Sequence, residues 1–192
     1  MNHVKRLAVY CGSAAGSQPM FSEATRATAA AMVARGVDLV YGGGRLGLMG
    51  LIADSVLADG GRVYGVIPQA LVDIEVAHLG LTELYTVETM HERKAKMTDL
   101  ADAFLALPGG VGTLDELFEA WSWNALGYHA KPFCLLNVDG FWDGMIEFID
   151  HATQSGFLSA QRRSQLLVAE TPERALEYLD EAAAAATQGM VW

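Results

Sequence analysis

The sequence predicts an α/β fold, with a doubly wound, Rossmann-like parallel sheet of six or seven strands and helices on both faces. Short apolar runs alternate along the chain with helical segments of about ten residues or more, which is the pattern of βαβ units. Three of the apolar runs open directly into glycine-bearing loops, at residues 12–16, 42–50 and 109–112. Because ligands in such sheets bind beyond the carboxyl ends of the strands, we expect these loops to face one crevice.

The predicted strands are apolar runs of four to six residues that glycine, proline or polar residues bound. They cover residues 6–10, 37–41, 62–67, 84–87, 103–107, 132–136 and, at the end of the chain, about 165–168. The stretch 69–80 lacks a clear period and is predicted to be irregular.

Helical spacing of apolar residues, with glycine after several segments, predicts six helices between these strands. They cover residues 19–35, 48–59, 90–101, a segment from about Leu114, 142–155 and a segment from Pro172 into the alanine run 182–186. Gly36 ends the first, and Gly60 with Gly61 ends the second.

The 192 residues, 52% of them hydrophobic, suit one nucleotide-binding domain spanning residues 1–192. The formal charge of −10 argues against nucleic acid and anionic membranes as partners, since phosphate backbones require a basic surface. A small anionic ligand remains compatible with this charge, because a few local cations dominate at short range.

The two cysteines, Cys11 and Cys134, lie in or beside predicted strands and are expected to be reduced core thiols. The chain has no signal-peptide pattern and no window that approaches about 20 uninterrupted apolar residues. We therefore expect a cytoplasmic protein without a membrane segment.

The most informative stretch runs from Leu107 to Glu116, with the sequence LPGGVGTLDE. It joins a buried strand to an amphipathic helix through three glycines. Glycines allow close approach of the backbone to a ligand, and the free N–H groups and positive dipole end of a helix favour a phosphate. Glu116 is expected in the first helical turn, where a carboxylate can serve the ligand or simply stabilise the helix dipole.

A second motif, MHERKAKM at residues 90–97, opens a helix after a strand and should project at the same crevice. Arg93 offers a planar fork for phosphate or sugar hydroxyls, and Lys94 offers a point charge. A solvated basic face paired with Glu92 and Asp99 explains the same spacing, so the motif alone leaves both interpretations open.

Other nucleotide-binding classes fit poorly. The dinucleotide fingerprint needs G-x-G-x-x-G after the first strand and an acid ending the second, and the first loop has only Gly12 and Gly16. None of the three glycine loops contains the G-K-[ST] of a P-loop. The five histidines are scattered without ligand spacing, so we expect no metal.

The two motifs, PGGVGTxxE at 108–116 and MxxRK at 90–94, resemble those of the LOG (LONELY GUY) family, and the resemblance covers about residues 6–179. Further matching blocks are CGS at 11–13, VYGGG at 40–44, GLMG at 47–50, GVIP at 65–68 and LLNVDGF at 135–141. Members of that family are nucleoside 5′-monophosphate phosphoribohydrolases that activate cytokinins and have long been mislabelled as lysine decarboxylases.

The resemblance implies hydrolysis of the N-glycosidic bond of AMP or isopentenyladenosine monophosphate, with no metal or organic cofactor. It implies Arg93 and Glu116 as catalytic residues, and a homodimer whose partner chain helps to wall the site. The substrate-binding residues it implies are Gly12, Ser13, Gly43, Met49, Glu75, Arg93, Lys94, Gly109, Gly110, Val111, Gly112, Thr113, Leu114, Asp115, Glu116 and Ser122. At Ser122 a threonine is common in the family.

The chemistry agrees with these roles. Cleavage of a C1′–N bond builds positive charge on the ribose ring, which a carboxylate such as Glu116 stabilises. Decarboxylation of lysine would instead need a Schiff-base lysine for pyridoxal phosphate, and Lys94 and Lys96 lack such a setting. The alternative is a non-catalytic carrier of a nucleotide or of molybdopterin, which needs the glycine cradle but not the Arg93 and Glu116 pair.

Overall fold

The computed structural model describes residues 3–73 and 77–188, and in them seven parallel strands form one sheet. The strands are β1 (Arg6–Tyr10), β2 (Asp38–Tyr41), β3 (Val63–Pro68), β4 (Glu83–Val87), β5 (Ala103–Ala106), β6 (Phe133–Leu136) and β7 (Leu166–Ala169). Their order across the sheet is β4-β3-β2-β1-β5-β6-β7, and every neighbouring pair is parallel. The predicted α/β class is confirmed.

Eight helices connect the strands in the described part of the chain. They are α1 (Pro19–Ala34), α2 (Gly47–Ala58), α3 (Gln69–Asp73), α4 (Met90–Leu100), α5 (Val111–Ala125), α6 (Asp143–Gln154), α7 (Ala160–Ser164) and α8 (Pro172–Gln188). A single 3₁₀ turn at Val138–Gly140 precedes α6. Pro19 occupies the first turn of α1, and Gly36 follows that helix with a φ of 66°, a left-handed conformation that favours glycine.

The core has two layers because successive strand residues point to opposite faces of the sheet. In β5, Leu105 belongs to the cluster that α1, α2 and α8 cover, whereas Phe104 belongs to the cluster that α4, α5 and α6 cover. Both side chains are fully buried. Strands β3, β5 and β6 are buried along their whole length because both faces of the sheet are covered there, whereas the edge strand β4 is partly exposed.

The strand order reverses between β1 and β5, which are neighbours in the centre of the sheet. Leu107 extends this contact past the end of β5, since its backbone N–H donates to the carbonyl of Tyr10 at 2.9 Å. The loops after β1 and β5 therefore emerge side by side. This is the switch point where open α/β sheets bind ligands.

Most predicted boundaries lie within two residues of the observed ones, but three differences are larger. Helix α5 begins at Val111 and not near Leu114, so the expectation that Glu116 lies in the first turn is wrong: it lies in the second. The short helices α3 and α7 were not expected. In α7 the Ser159 hydroxyl accepts from the backbone N–H of Arg162, a cap that a five-residue helix makes hard to detect by periodicity.

Both cysteines are buried and free, as expected. Among the described residues, none of the helices has the length and apolar character required to cross a bilayer.

Leu105→Ala tests the central position of β5. We expect a loss of about 2–5 kcal/mol of unfolding free energy, because the substitution leaves a cavity between β5 and the helices α1, α2 and α8 that cover this face. Leu79→Ala is the matched control, since Leu79 is 85% exposed and its truncation should cost less than about 0.5 kcal/mol. Urea denaturation at one protein concentration measures both; equal losses would contradict the assignment.

Candidate active site

Three glycine-bearing loops meet at the switch point, as the sequence predicts. The backbone N–H of Gly12 donates to the carbonyl of Pro108 at 3.1 Å, and the carbonyl of Gly12 accepts from Leu48 at 3.0 Å. A small cavity of about 270 Å³ lies between the first loop and the Gly109–Gly110 turn, and Ser13 is exposed at its edge. The backbone of the loops thus forms the floor of one crevice.

The first turn of α5 presents free backbone donors to this crevice. The helical hydrogen bonds begin with Leu114, whose N–H donates to the carbonyl of Gly110 at 3.1 Å. The N–H groups of Val111, Gly112 and Thr113 therefore have no helical acceptor, which makes the helix start an anion-binding position. No side chain caps the helix there.

The glycines of this cradle have different structural roles. A Cβ at Gly109 would lie 2.0 Å from the Thr113 hydroxyl and 2.9 Å from the backbone nitrogen of Gly12, so packing requires a glycine. A Cβ at Gly110 or Gly112 would meet nothing within 4 Å. These two positions are exposed, and their missing side chains leave room at the mouth of the crevice. Thr113, in contrast, is buried.

Arg93 and Glu116 form a buried ion pair across the crevice. The Arg93 Nη1 lies 2.9 Å from Oε1 of Glu116, and the two side chains are only 8% and 10% exposed. Arg93 also donates Nε–H to the carbonyl of Val66 and Nη2–H to that of Gly42, at 3.1 and 3.3 Å. One guanidinium therefore links α4 to β3, to the loop after β2 and to α5.

Gly42 makes this arrangement possible. A Cβ at Gly42 would lie 1.8 Å from Nη2 of Arg93 and 3.4 Å from the sulfur of Met49. Any side chain at this position would displace the guanidinium. The sequence signal was the glycine triplet after β2, but Gly42 itself was not predicted to belong to the site.

Burial raises the pKa of the Glu116 carboxyl above its ordinary value, and the positive charge of Arg93 opposes that rise. Burial likewise raises the pKa of the Tyr10 phenol, and the charges of Glu116 and Glu119 raise it further. The same carboxylate adds to the burial that raises the pKa of the Cys11 thiol. The Glu116 charge therefore acts on both Tyr10 and Cys11 at the end of β1, in addition to the larger effect of burial.

Lys94 does not point freely into the crevice. Its Nζ lies 3.0 Å from Oδ2 of Asp115 and 3.0 Å from Oε2 of Glu119, which join α4 to the second and third turns of α5. Burial alone would lower the pKa of Lys94, but the hydrogen bonds to both carboxylates outweigh it and raise that pKa. Asp115, which the family resemblance implies as a substrate-binding residue, thus holds a lysine together with Glu119.

The other predicted substrate-binding residues differ in burial. Gly43 is buried, with a φ of 73°, and its carbonyl accepts from the N–H of His78 at 2.9 Å. Met49 is half-buried beside Gly42, and Leu114 packs partly against the core. Glu75 lies outside the described residues.

Ser122 is not brought into the crevice. It is exposed on another side of α5, in a groove of about 490 Å³ between α5, α6 and α7. Apolar side chains dominate that groove, among them Phe118, Leu126 and Phe148. Trp121 faces it too, but is only 7% exposed and packs on Phe133 in the core.

No group of three or more potential metal-ligating side chains occurs within residues 3–73 and 77–188. Two of the histidines in this part of the chain lie beside a carboxylate: His78 pairs with Asp54 at 2.9 Å, and His91 lies 3.9 Å from Glu119. The crevice can thus bind an anion on backbone amides next to a buried arginine–carboxylate pair.

A profile of the family described as "Possible lysine decarboxylase" matches residues 49–179. The cytokinin riboside 5′-monophosphate phosphoribohydrolase LOG2 of Arabidopsis thaliana is 46% identical over 177 residues, 92% of this chain and 83% of its own length. The phosphoribohydrolase LOG of Oryza sativa subsp. japonica is 46% identical over 188 residues, 98% of this chain and 78% of its own.

Solved structures show the same fold at low identity. The molybdenum cofactor carrier protein of Chlamydomonas reinhardtii aligns with a TM-score of 0.69 and 16% identity, over 93% of this chain and 98% of its own. The molybdenum cofactor binding protein of Rippkaea orientalis aligns with a TM-score of 0.67 and 19% identity, over 92% and 95%. At such identity the likeness concerns the fold alone.

The different roles of the cradle glycines can be separated by stability. Gly109→Ala should cost about 1–3 kcal/mol of unfolding free energy, because its Cβ overlaps Thr113 and the backbone of Gly12. Gly110→Ala should stay within about 0.5 kcal/mol of the parent protein, because its Cβ enters open space. Urea denaturation compares the two. An equal cost for both, or a larger cost at Gly110, would show that the cradle packs differently.

Proposed function

The chain belongs to the family described as possible lysine decarboxylases, which is the LOG family, and we propose that it is a hydrolase that cleaves the N-glycosidic bond of adenosine 5′-monophosphates. The products are a free adenine-type base, with or without an N6 substituent, and ribose 5-phosphate. The buried Arg93–Glu116 pair beside an open anion cradle is the observation that carries the proposal.

The cradle suits the 5′-phosphate. We assign the phosphate to the free N–H groups of Val111, Gly112 and Thr113, with the open space beside Gly110 allowing its approach. The positive end of the α5 dipole adds to this attraction. Binding the phosphate here anchors the ribose above the ends of β1 and β5.

Glu116 then acts on the ribose. As the C1′–N bond breaks, its electron pair leaves with the base, and positive charge develops on the ring. The Glu116 carboxylate, whose ionised form the Arg93 charge favours at 2.9 Å, stabilises that charge and orients the water whose oxygen bonds to C1′. The attacking water loses one proton as it becomes the 1-hydroxyl of ribose 5-phosphate, and the departing base gains one proton on a ring nitrogen, so that one water is consumed for each base released.

Arg93 is assigned to hold both Glu116 and the substrate. Three of its five N–H donors are used by Val66, Gly42 and Glu116, which leaves two for a phosphate or ribose oxygen. Its position between three elements fixes the carboxylate against the strand ends.

Decarboxylation of lysine does not fit these residues. Pyridoxal phosphate needs a lysine that forms a Schiff base, and therefore a neutral amine within reach of the cofactor. Lys94 is bound by two carboxylates that favour its charged form, and the Lys96 ammonium lies over the ring of Tyr85 at 4.6 Å. Both lysines of the motif at residues 90–97 therefore have other partners, and neither is placed to form a Schiff base.

Glu116→Gln should reduce the hydrolysis rate of AMP and of N6-isopentenyl-AMP by about 10²–10³, because the amide cannot stabilise the developing positive charge. Release of free base, followed by chromatography, measures this. Glu92→Gln is the matched control, since Glu92 lies on the exposed face of α4 and accepts only from the backbone N–H of Glu88 among the hydrogen bonds described for it.

Three outcomes are separable. Base release by the wild type and the control but not by Glu116→Gln supports the ribohydrolase, and the ratio of the two substrates tells whether the enzyme also works as an AMP nucleosidase. Equal rates for all three proteins would remove Glu116 from the mechanism. Tight binding of both nucleotides without turnover by the wild type would support the carrier alternative.

We further assign the groove beside Ser122 to a homodimer interface. Phe118, Leu126 and Phe148 are 39%, 69% and 67% exposed on this one face, a concentration of apolar surface that a second copy of the chain would cover. The groove borders α5 on a side away from the crevice, so a partner there would contact the helix that carries the cradle and Glu116. The cytoplasmic location stays a prediction.

Phe148→Asp should shift the protein to monomers, because an unpaired carboxylate would be buried in the interface. Sedimentation at several concentrations measures the association state, and activity should fall with the dimer fraction. Glu147→Asp, on the neighbouring exposed position of α6, is the control. Full activity of a wild-type monomer would contradict the proposed interface.

A further inference from the structure

Lys94 of α4 pairs with two carboxylates of another helix, α5. Its ammonium lies 3.0 Å from a carboxylate oxygen of both Asp115 and Glu119, and its side chain is only 16% exposed. The two acids are four residues apart on α5, so their side chains share one face of the helix. The lysine therefore bridges the helices and neutralises acids beyond the cradle.

The position of this bridge along α5 separates it from the phosphate site. At a rise of about 1.5 Å per residue, Asp115 lies about 3 Å and Glu119 about 9 Å further along the axis than Thr113. The free N–H groups that form the cradle end at Thr113. The Lys94 ammonium is thus placed beside the second and third turns of the helix.

The carboxylates of α5 outnumber the two cations that pair with them. Asp115, Glu116 and Glu119 place three carboxylates within five residues of α5, and Arg93 and Lys94 are the cations that pair with them. A nucleotide monophosphate brings about two further negative charges into the same crevice. Without Lys94, the two acids it binds would repel the entering phosphate.

We propose that Lys94 is a positioning residue that acts through Asp115 and Glu119: it neutralises them for the incoming phosphate and ties α4 to α5, and it does not itself bind the substrate. The inference rests on the proposed function for the identity of the ligand. It replaces the expectation that Lys94 offers its charge directly to the phosphate.

Lys94→Met should raise KM for AMP about fivefold, as expected for one unit of charge removed at about 8–10 Å, with kcat changed less than twofold. Lys94→Met/Glu119→Gln restores the local net charge and should return KM to within about twofold of the wild-type value. Lys96→Met removes a charge from the same helix outside the cluster and is the matched control.

The combined variant decides between the two roles. If Lys94 contacted the phosphate directly, loss of Glu119 could not replace the contact, and KM would stay as high as in Lys94→Met; that result, or an unchanged KM in Lys94→Met, overturns the proposal. If Lys94→Met does not fold, Glu119→Gln alone tests the proposal. This variant removes one negative charge and leaves Lys94 paired with Asp115 only, so KM for AMP should fall about fivefold. An unchanged or higher KM there also overturns it.

Binding of ribose 5-phosphate, measured by calorimetry, keeps this test independent of turnover. The dissociation constants of the variants should follow the same pattern as KM. If the wild type binds ribose 5-phosphate but hydrolyses no nucleotide, the proposed function fails while the calorimetric series still decides the role of Lys94. If the variants all bind alike, the role of Lys94 fails while the hydrolase stands.

Discussion

The rest of the site depends on the ion pair between Arg93 and Glu116. An ionised carboxylate at 10% exposure is costly unless an opposite charge lies beside it, and removal of one partner from such a pair costs about 3–5 kcal/mol. Arg93 can provide that charge because carbonyl groups of β3 and of the loop after β2 hold the same guanidinium. The pair therefore gives the crevice a buried carboxylate whose ionised form Arg93 favours, as stabilisation of an oxocarbenium-like ribose requires.

Glycines make the space in which this pair and its substrate meet. Gly42 leaves room for the guanidinium, Gly109 leaves room for Thr113, and Gly110 leaves room at the mouth of the cradle. The first two are thus demanded by the protein's own packing, and only the third leaves its space to a ligand. In the loop after β5, packing requires Gly109, and Gly110 leaves space for a ligand. The reversal of strand order between β1 and β5 places this loop at the edge of the sheet where ligands bind.

Much of the fold could be predicted because buried parallel strands are short apolar runs with glycine or proline at their ends. The start of α5 was misplaced because its first turn, Val111 to Thr113, has no apolar period, and the helix pattern only becomes visible at Leu114. The partners of Lys94 could not be predicted, since Asp115 and Glu119 are 21 and 25 residues away and only tertiary packing brings them together. The motif resemblance indicated Arg93 and Glu116, but not that Gly42 has to make room for their contact.

A double-mutant cycle on kcat/KM for AMP, with Arg93→Met, Glu116→Gln and the combined variant, tests most directly whether the pair works as one unit. If Arg93 acts largely by holding a charged Glu116, the combined variant should be little worse than the poorer single variant, with a coupling free energy above about 1.4 kcal/mol. Losses that multiply, with each variant folded by circular dichroism, would show two independent contributions and contradict the central role of the ion pair.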